Sequence, residues 1–272
     1  TALTAILALV LPGTFEESEL PRFKAVVEAW WNGAGLWNLL AFSMQMALVL
    51  VTGYALAASR PVKALIATVA SLPTSTASGA MLVAFIATAT GLVNWGLALV
   101  VGALLARAVG RSLQERSIPV HYPLIAAAGY VGLLVWHGGL SGSAPLSMTD
   151  PLNAAKVLPA EVAAQFANEG VPLTETIFSP MNLVMSLGML FIAPLFFFAA
   201  SPRLRNDHCS PSDLGIVFED EATLQDESGF VAKTFGIGLG VALLLGFGFY
   251  AADHGITRLG LNQVNAIMFG IG

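Results

Sequence analysis

Charged side chains are scarce in this chain of 272 residues: Lys, Arg, Asp and Glu make up 11% of it, and 56% of the residues are hydrophobic. Ordinary soluble domains carry about 25% charged residues, so the composition argues against a soluble fold. The stretches without any Lys, Arg, Asp or Glu are residues 29–59, 64–106, 117–149 and 176–202. Uncharged stretches of this length are typical of membrane-spanning segments.

Other scarcities exclude further classes of protein. A single cysteine, Cys209, excludes an internal disulfide framework, and no Cys/His spacing indicates a structural zinc site. The net charge is −5, and the segment 201–230 alone holds seven acids and two arginines, so no basic surface for nucleic acid is expected. Since no constellation of acid, base, metal ligand or cofactor motif is visible, we expect no enzyme, no metal and no organic cofactor.

The apolar stretches predict an all-α, polytopic transmembrane protein. Residues 35–58, 174–200 and 231–252 each read as a span, and residues 201–230 as an acidic cytoplasmic loop. Both ends of the sequence lie within apolar stretches, so we expect a fragment cut inside membrane segments.

The segment between Pro73 and Arg107 has an unusual length. As one helix it would run about 50 Å, across a hydrocarbon core of about 30 Å, whereas two spans would need about 40 residues. The length therefore predicts a re-entrant hairpin at about 78–109, with its break at 90–96. The positive-inside rule does not decide this point, because the hairpin and a single long span with inverted topology both place eight of the twelve Lys and Arg inside.

A second interruption follows at about 122–146. Residues 122–137 cover half to three-quarters of a crossing and then run into the Gly- and Ser-rich stretch 138–145. This pattern predicts a helix that is unwound inside the bilayer, with a polar segment at 147–173 on the outer side. Non-helical backbone at membrane depth is tolerated only where protein or a water-filled cavity satisfies it.

Two broken elements with Gly, Ser and Asn at their breaks predict a site for a small anion and a coupling cation. Half-helix N-termini carry partial positive charge, and freed carbonyl groups coordinate cations. Amide, hydroxyl and close backbone contacts would come from Asn94, Gly96, Gly138, Gly139, Ser141, Gly142 and Ser143. The alternative for each of these residues is helix packing or interhelical hydrogen bonding.

Three further polar residues are accessory candidates. His137 adjoins the second break and suits a proton carrier, although a structural histidine explains it equally well. Asn38 and Gln45 share one helical face, for which interhelical hydrogen bonding is the favoured reading. No charged side chain lies deep in a predicted span, so selectivity would rest on helix dipoles and neutral donors, with Na⁺ or H⁺ as the coupling ion.

Several strings in the chain closely resemble the short-chain fatty acid transporter family, which comprises bacterial inner-membrane carriers for molecules such as acetoacetate and butyrate. The most specific strings are WNLLAF-MQMAL, NWG and GGLSGS-PL. They lie in the segments 35–57, 91–107 and 122–146, and the similarity continues into 264–272. The resemblance therefore extends over nearly the whole chain.

The resemblance implies a carrier built from two inverted repeats, each with a re-entrant hairpin and a broken helix. Residues 1–200 would form the first repeat and residues 231–272 the truncated start of the second. Asn94, Trp95 and Gly96 would form the first hairpin tip, and Gly138 to Ser143 the first unwound helix. Half of the site would then belong to a missing C-terminal repeat, so these residues alone are not expected to transport.

The leading hypothesis is a secondary transporter of short-chain monocarboxylates that works by alternating access in a bacterial inner membrane. Its partners would be the carboxylate substrate, the lipid bilayer and the missing repeat, and homo-oligomerisation stays open. One alternative is a carrier of dicarboxylates or other organic anions. Another is a membrane sensor or scaffold that does not transport.

Overall fold

Helices form the regular structure of the chain wherever its structure is described. The computed structural model describes residues 2–11, 21–31, 40–202, 207–218, 230–254 and 267, and within these ranges no β-strand occurs. The α-helices are α1 (Ala2–Val10), α2 (Arg22–Trp31), α3 (Leu40–Ala58), α4 (Arg60–Ala70), α5 (Thr76–Val93), α6 (Trp95–Glu115), α7 (Tyr122–Gly129), α8 (Ser143–Ser147), α9 (Pro151–Val157), α10 (Ala160–Ala163), α11 (Pro180–Ala199) and α12 (Phe230–His254). Short 3₁₀ turns lie at Val131–Leu134, Trp136–Gly138, Ala164–Phe166, Leu173–Glu175 and Ser212–Leu214.

The chain divides into two units, residues 1–48 and 49–272. In the first unit α1 and α2 contact each other. Arg22 Nη1 donates a hydrogen bond to the carbonyl oxygen of Leu9 at 3.3 Å. The second unit contains the hairpin and the interrupted helix, and the candidate site lies entirely within it.

Four helical segments are long and apolar enough to cross a membrane: α5, α6, α11 and the Gly236–Asp253 part of α12. They confirm the prediction of an all-α, multi-pass membrane protein. The four segments differ in burial. About half of the residues of α5 and α6 are buried, whereas none of those in Gly236–Asp253 is. Helices α5 and α6 therefore form the centre of the second unit.

The hairpin forms because the sequence caps both of its helices. Ser75 begins α5 with a reciprocal capping box to Ser78. Asn94 ends α5 by donating its N–H to Thr90 O at 2.8 Å. Asn94 also begins α6, since its side-chain oxygen accepts the N–H of Leu97 at 2.9 Å. One extended residue (φ −154°, ψ 131°) thus separates two helices.

Small residues let the two helices of the hairpin lie close together. A Cβ at Gly79 would lie 3.0 Å from Val109 Cγ1, and these two residues are equally far from Asn94 along the chain. The helices are therefore antiparallel, and both outer ends lie on one side. The core around them is formed by Ala70, Ala80, Val83, Ala84, Leu105, Ala106, Val109, Leu113, Val120, Ile125 and Ala128.

The chain from Gly53 to Pro73, which includes α4, runs in the same direction as α6. A Cβ at Gly53 would lie 3.4 Å from the carbonyl carbon of Gly96, near the start of α6. At the other end, Arg116 Nη2 donates to the carbonyl oxygen of Pro73. In both contacts, the two residues are 43 positions apart in the sequence. Residues of α4 therefore lie level with residues of α6 at about that offset.

The segment after His121 is helical for only two turns. Helix α7 ends at Gly129, and the backbone continues through the two 3₁₀ turns to Gly138. At this point the backbone lies directly on the hairpin: a Cβ on Gly102 would collide with the carbonyl oxygen of Gly129, and one on Gly132 would collide with the carbonyl of Ala87. Backbone contact of this kind requires glycine.

The observed elements differ from the predicted ones in two respects. The α-helix was predicted to continue to residue 137 but ends at Gly129, where contact with the hairpin replaces regular helix packing. The arms of the hairpin are also longer than predicted, since α5 begins at Thr76, α6 continues past residue 109 to Glu115, and the break is one residue. The alternative of one long helix between Pro73 and Arg107 is wrong, because the structure has two antiparallel helices there. Each arm is long enough to cross a membrane, so re-entrance stays a prediction.

Candidate functional site

Asn94 occupies the tip of the hairpin and is almost fully buried, with 1% of its surface exposed. Its Oδ1 is occupied by the Leu97 N–H, because this N–H lacks an intrahelical acceptor at the start of α6. Its Nδ2 is buried and has no hydrogen-bond partner within the described residues. Buried amide groups are nearly always paired, so an unpaired one at a helix N-terminus indicates a position suited to an anionic or carbonyl ligand.

The structure brings the second break against this tip. The N–H of Trp95 donates to Ser141 Oγ at 3.1 Å. One residue earlier, the N–H of Leu140 donates to Leu92 O at 2.7 Å. Ser141 is buried. These bonds join residues that are more than 40 positions apart, so the two predicted breaks form one junction.

The glycines of the junction have a packing role. A Cβ on Gly139 would lie 2.7 Å from the Cα of Leu92, and one on Gly142 would lie 2.9 Å from Pro145 Cγ. Gly96 is buried against Gly53. Close backbone contact explains these three glycines without a ligand, which supports the packing interpretation for them.

Helix α11 supplies two polar residues that the sequence analysis did not identify. Asn182 Nδ2 donates to Gly138 O at 2.9 Å and to Ile177 O at 2.7 Å. Ser186 Oγ donates to Asn182 Oδ1 at 3.3 Å. Asn182 therefore holds the end of the 3₁₀ segment next to the junction. Its spacing of four from Ser186 in an apolar helix is the signal that could have identified it.

Aromatic rings cover one side of the junction. The ring centroids of Trp95 and Trp136 are 5.8 Å apart at an angle of 56°. Those of Trp136 and His137 are 3.8 Å apart. His137 is exposed, whereas both tryptophans are half-buried. Trp136 is a third residue that the sequence analysis missed.

Of the remaining candidate residues, one lies at the edge of the junction, and the side chains of the other two are not described by the structure. Ser143 is half-buried at the first position of α8. Gln45 lies within α3, but its side chain is not described, and Asn38 lies outside the described residues. Within the described ranges, no three His, Cys, Asp or Glu side chains come together to hold a metal ion.

The chemistry available at the junction is that of neutral polar groups. Amide and hydroxyl groups of Asn94, Ser141 and Asn182 surround backbone N–H and C=O groups released by the breaks. The N-terminus of α6 adds partial positive charge. Such a set can bind a small carboxylate through N–H donors and a cation through oxygen atoms, without a fixed charge of either sign.

Comparison with known proteins shows the family of the chain. The family model described as "Short chain fatty acid transporter" matches residues 1–272. A relative from Escherichia coli (strain K12), named "Putative short-chain fatty acid transporter", is 37% identical over 265 residues, covering 91% of this chain and 54% of the relative. A relative of the same name from Haemophilus influenzae is 34% identical over 255 residues, covering 89% of this chain and 54% of the relative.

The chain spans about half the length of these curated relatives. No solved structure matches it. A family match over all 272 residues, together with relatives above 30% identity over about 90% of the chain, shows that the chain belongs to the short-chain fatty acid transporter family.

Proposed function

We propose that the protein works as a secondary carrier, not an enzyme, that moves short-chain monocarboxylates such as butyrate or acetoacetate across the bacterial inner membrane together with H⁺ or Na⁺. The observation that carries the proposal is the junction of the hairpin tip with the second break. There, the unpaired Nδ2 of Asn94 lies buried beside the N-terminus of α6. Family membership supports the same class of cargo.

In this mechanism Asn94 donates a hydrogen bond to the substrate carboxylate. The partial positive charge at the start of α6 stabilises the carboxylate without a fixed cation, so the empty site carries no charge that must be neutralised. The coupling cation would bind oxygen atoms, for which Ser141 Oγ and the carbonyl groups of the 138–142 segment are candidates. A second repeat, in the part of the relatives that this chain does not span, would supply the other half of the site.

Alternating access would move the junction as one body. The hydrogen bonds from Trp95 to Ser141 and from Leu140 to Leu92 hold the tip and the second break together, so neither can move alone without losing a hydrogen bond. Ser143, at the rim of the junction, would contact the substrate as it enters. If H⁺ is the coupling ion, the His137 side chain would accept the proton and pass it to the site.

The test is uptake of radiolabelled butyrate by proteoliposomes that hold the full-length protein, with Na⁺ and H⁺ gradients imposed separately. Accumulation under one gradient would support the carrier and identify its ion. Competition by four-carbon dicarboxylates at low concentration would instead favour the broader organic-anion carrier. Butyrate binding without accumulation under either gradient would favour a sensor.

Asn94 can be tested apart from its capping role. Asn94→Ala removes the cap oxygen and the amide donor, whereas Asn94→Ser keeps a cap oxygen and replaces the amide NH₂ with a shorter hydroxyl that caps the helix. Because a hydrogen bond to a charged group is worth about 1.5–3 kcal/mol, both changes are expected to lower uptake efficiency by about 10- to 100-fold. Ser143→Ala should lower it less.

The matched control is Asn168→Ala, at an exposed position of the 147–173 segment. It should leave uptake and surface expression unchanged. Normal uptake by Asn94→Ser with reduced uptake by Asn94→Ala would show that the residue acts only as a cap. That result would remove it from the binding site.

A further inference from the structure

A groove of 430 Å³ lies between α5 and α11, at the open end of the hairpin, where α5 begins and α6 ends. Its lining comes from the first turns of α5, from the second half of α11 and from Leu72 and Pro73. Ser78 is the one polar side chain of this lining, and its Oγ already accepts the N–H groups of Thr74 and Ser75, each at 3.1 Å. The groove therefore offers apolar surface, which suits an alkyl chain.

The groove runs along both helices from this open end towards the tip of the hairpin. Helices α5 and α11 are antiparallel, because Asn182 near the start of α11 donates to Gly138 O at the junction, whereas the second half of α11 lies beside the first turns of α5. The rings of Phe85 and Phe191, with centroids 6.4 Å apart, close the inner end of the groove. From Thr76 to Phe85, α5 rises about 14 Å at 1.5 Å per residue, which is long enough for a large part of an acyl chain.

A cation lies at the open end of the groove. Arg116 Nη2 donates to the carbonyl oxygen of Pro73, which lines the groove, and Arg116 Nε donates to Ser112 O at 3.1 Å. A guanidinium has five N–H donors, so these bonds leave others available. In the described part of the chain no carboxylate pairs with Arg116, and the neighbouring Glu115 is in contact with Arg111 at 2.7 Å. The charge of Arg116 is therefore available to an anion.

The charge and the apolar surface follow each other in the order that a phospholipid needs. Arg116 comes directly after the end of α6, so the apolar lining lies between this cation and the tip of the hairpin. With the open end of the hairpin at the headgroup level, the cation meets the headgroup and the groove extends from it into the hydrocarbon.

We propose that the groove binds an anionic phospholipid, with its phosphate at Arg116 and one acyl chain between α5 and α11. A planar guanidinium suits phosphate because it donates to two oxygen atoms at once. Basic pockets between membrane helices bind anionic lipid headgroups in this way.

The lipid would complete the packing of α11 on the hairpin. Near the start of α11, Asn182 already connects the helix to the junction. Towards its end the packing is open, since Phe191 is 59% exposed and Leu195 is 60% exposed although both line the groove. An acyl chain in the groove would cover these two side chains and hold this end of α11 against α5.

The experiment is native mass spectrometry of the purified full-length protein with phosphatidylglycerol, phosphatidylcholine or inorganic phosphate. The unmodified protein is expected to retain phosphatidylglycerol and to bind phosphatidylcholine more weakly. Arg116→Gln should weaken phosphatidylglycerol binding by about fivefold, the effect of one cation near a membrane surface. Arg116→Lys keeps the charge and should restore most of the binding. Lys156→Gln, which removes a cation in α9 that does not line the groove, should bind phosphatidylglycerol like the unmodified protein.

A second pair of variants tests the groove itself. Leu82→Trp places a larger side chain in the lining and should displace most of the bound phosphatidylglycerol. Val184→Trp introduces the same side chain at a 74% exposed position of α11 outside the lining, and it should leave the binding unchanged. Thermal unfolding of each variant verifies that the folded protein is compared.

Several results would overturn the proposal. Equal binding of phosphatidylglycerol and phosphatidylcholine would show that the charge of Arg116 does not contribute. Equal losses for Arg116→Gln and Lys156→Gln would show a general charge effect, and equal binding by Leu82→Trp and Val184→Trp would place the lipid elsewhere. Displacement of the lipid by millimolar inorganic phosphate would assign Arg116 to a soluble anion. Absence of a retained lipid from the folded full-length protein would assign the groove to a protein segment.

Discussion

At the scale of single residues, Asn182 connects a spanning helix to the junction. Its amide satisfies the carbonyl groups of Gly138 and Ile177 and accepts from Ser186. A leucine at this position keeps a similar volume but leaves two carbonyl groups without a donor. Unsatisfied buried groups cost about 1–3 kcal/mol each, so Asn182→Leu should lower the unfolding temperature clearly.

The comparison for this prediction is Asn168→Leu, which makes the same change at an exposed position. Thermal unfolding in detergent should show a drop for Asn182→Leu and little change for Asn168→Leu. If both variants unfold like the unmodified protein, the Asn182 hydrogen bonds do not hold the segment in place.

Gly102 tests the backbone contact between the hairpin and α7. A Cβ on Gly102 would collide with the Gly129 carbonyl, so Gly102→Ala should separate the two backbones and destabilise the protein by about 1–3 kcal/mol, the usual cost of overpacking. At Gly246 in α12, a Cβ meets nothing within 4 Å. Gly246→Ala should therefore have no such effect, because alanine also suits a helix better than glycine. Equal unfolding temperatures for the two variants would contradict the contact.

At the scale of elements, the depth of the hairpin tip separates a re-entrant hairpin from two full spans. Both forms place the ends of α5 and α6 on one side, so side-of-membrane tests of the ends cannot distinguish them. A re-entrant tip lies near the middle of the bilayer, whereas a tip between two spans lies about 15 Å further out, at the opposite headgroups.

The measurement is electron paramagnetic resonance of a spin label at Val93, which is 41% exposed beside the tip. The label is attached to Val93→Cys in a Cys209→Ser background. We expect high collision rates with oxygen and low rates with a water-soluble nickel complex, as for a label at mid-bilayer depth. A label at Leu72, outside the start of α5, serves as the control at a headgroup level. Similar depths for the two labels would contradict re-entrance.

The sequence predicts the ends of helices that local residues determine, but not those that tertiary contacts determine. The break at Asn94 was predictable, since an Asn-Trp-Gly string within an apolar stretch offers a cap and little helix propensity. The end of α7 at Gly129 was not, because a contact with Gly102, which lies far away in the sequence, determines it. The junction of Trp95 with Ser141 likewise depends on tertiary packing that single-sequence periodicity does not contain.

At the scale of the whole molecule, composition was sufficient to predict the class of protein. Long uncharged apolar stretches in a bilayer form helices, because a helix satisfies its own backbone hydrogen bonds. The residues around the site were harder to predict. Asn94 and Ser141 could be identified because they are polar residues at predicted helix breaks. Asn182 could not, because it reaches the junction only through the packing of α11 against α5.

The antiparallel hairpin also restricts the topology of the whole chain. It returns Arg107 and Arg116 to the side of Lys63, and we propose that this side is cytoplasmic, since it then collects most of the cations. The interrupted segment would cross once to place residues 147–173 outside, and α11 would cross back to place the loop with Cys209 inside. The hairpin itself does not fix the orientation of the chain in the membrane, so a measurement must test this assignment.

Labelling with a membrane-impermeant maleimide in intact cells provides this measurement. Glu161→Cys, at an exposed position of α10, should be labelled from outside in a Cys209→Ser background. A cysteine at exposed Asp213, in the same background, should be labelled only after the membrane is permeabilised. Since α11 lies between these two positions, one crossing puts them on opposite sides in either orientation. The reverse pattern would therefore show that the cation-rich side faces outward.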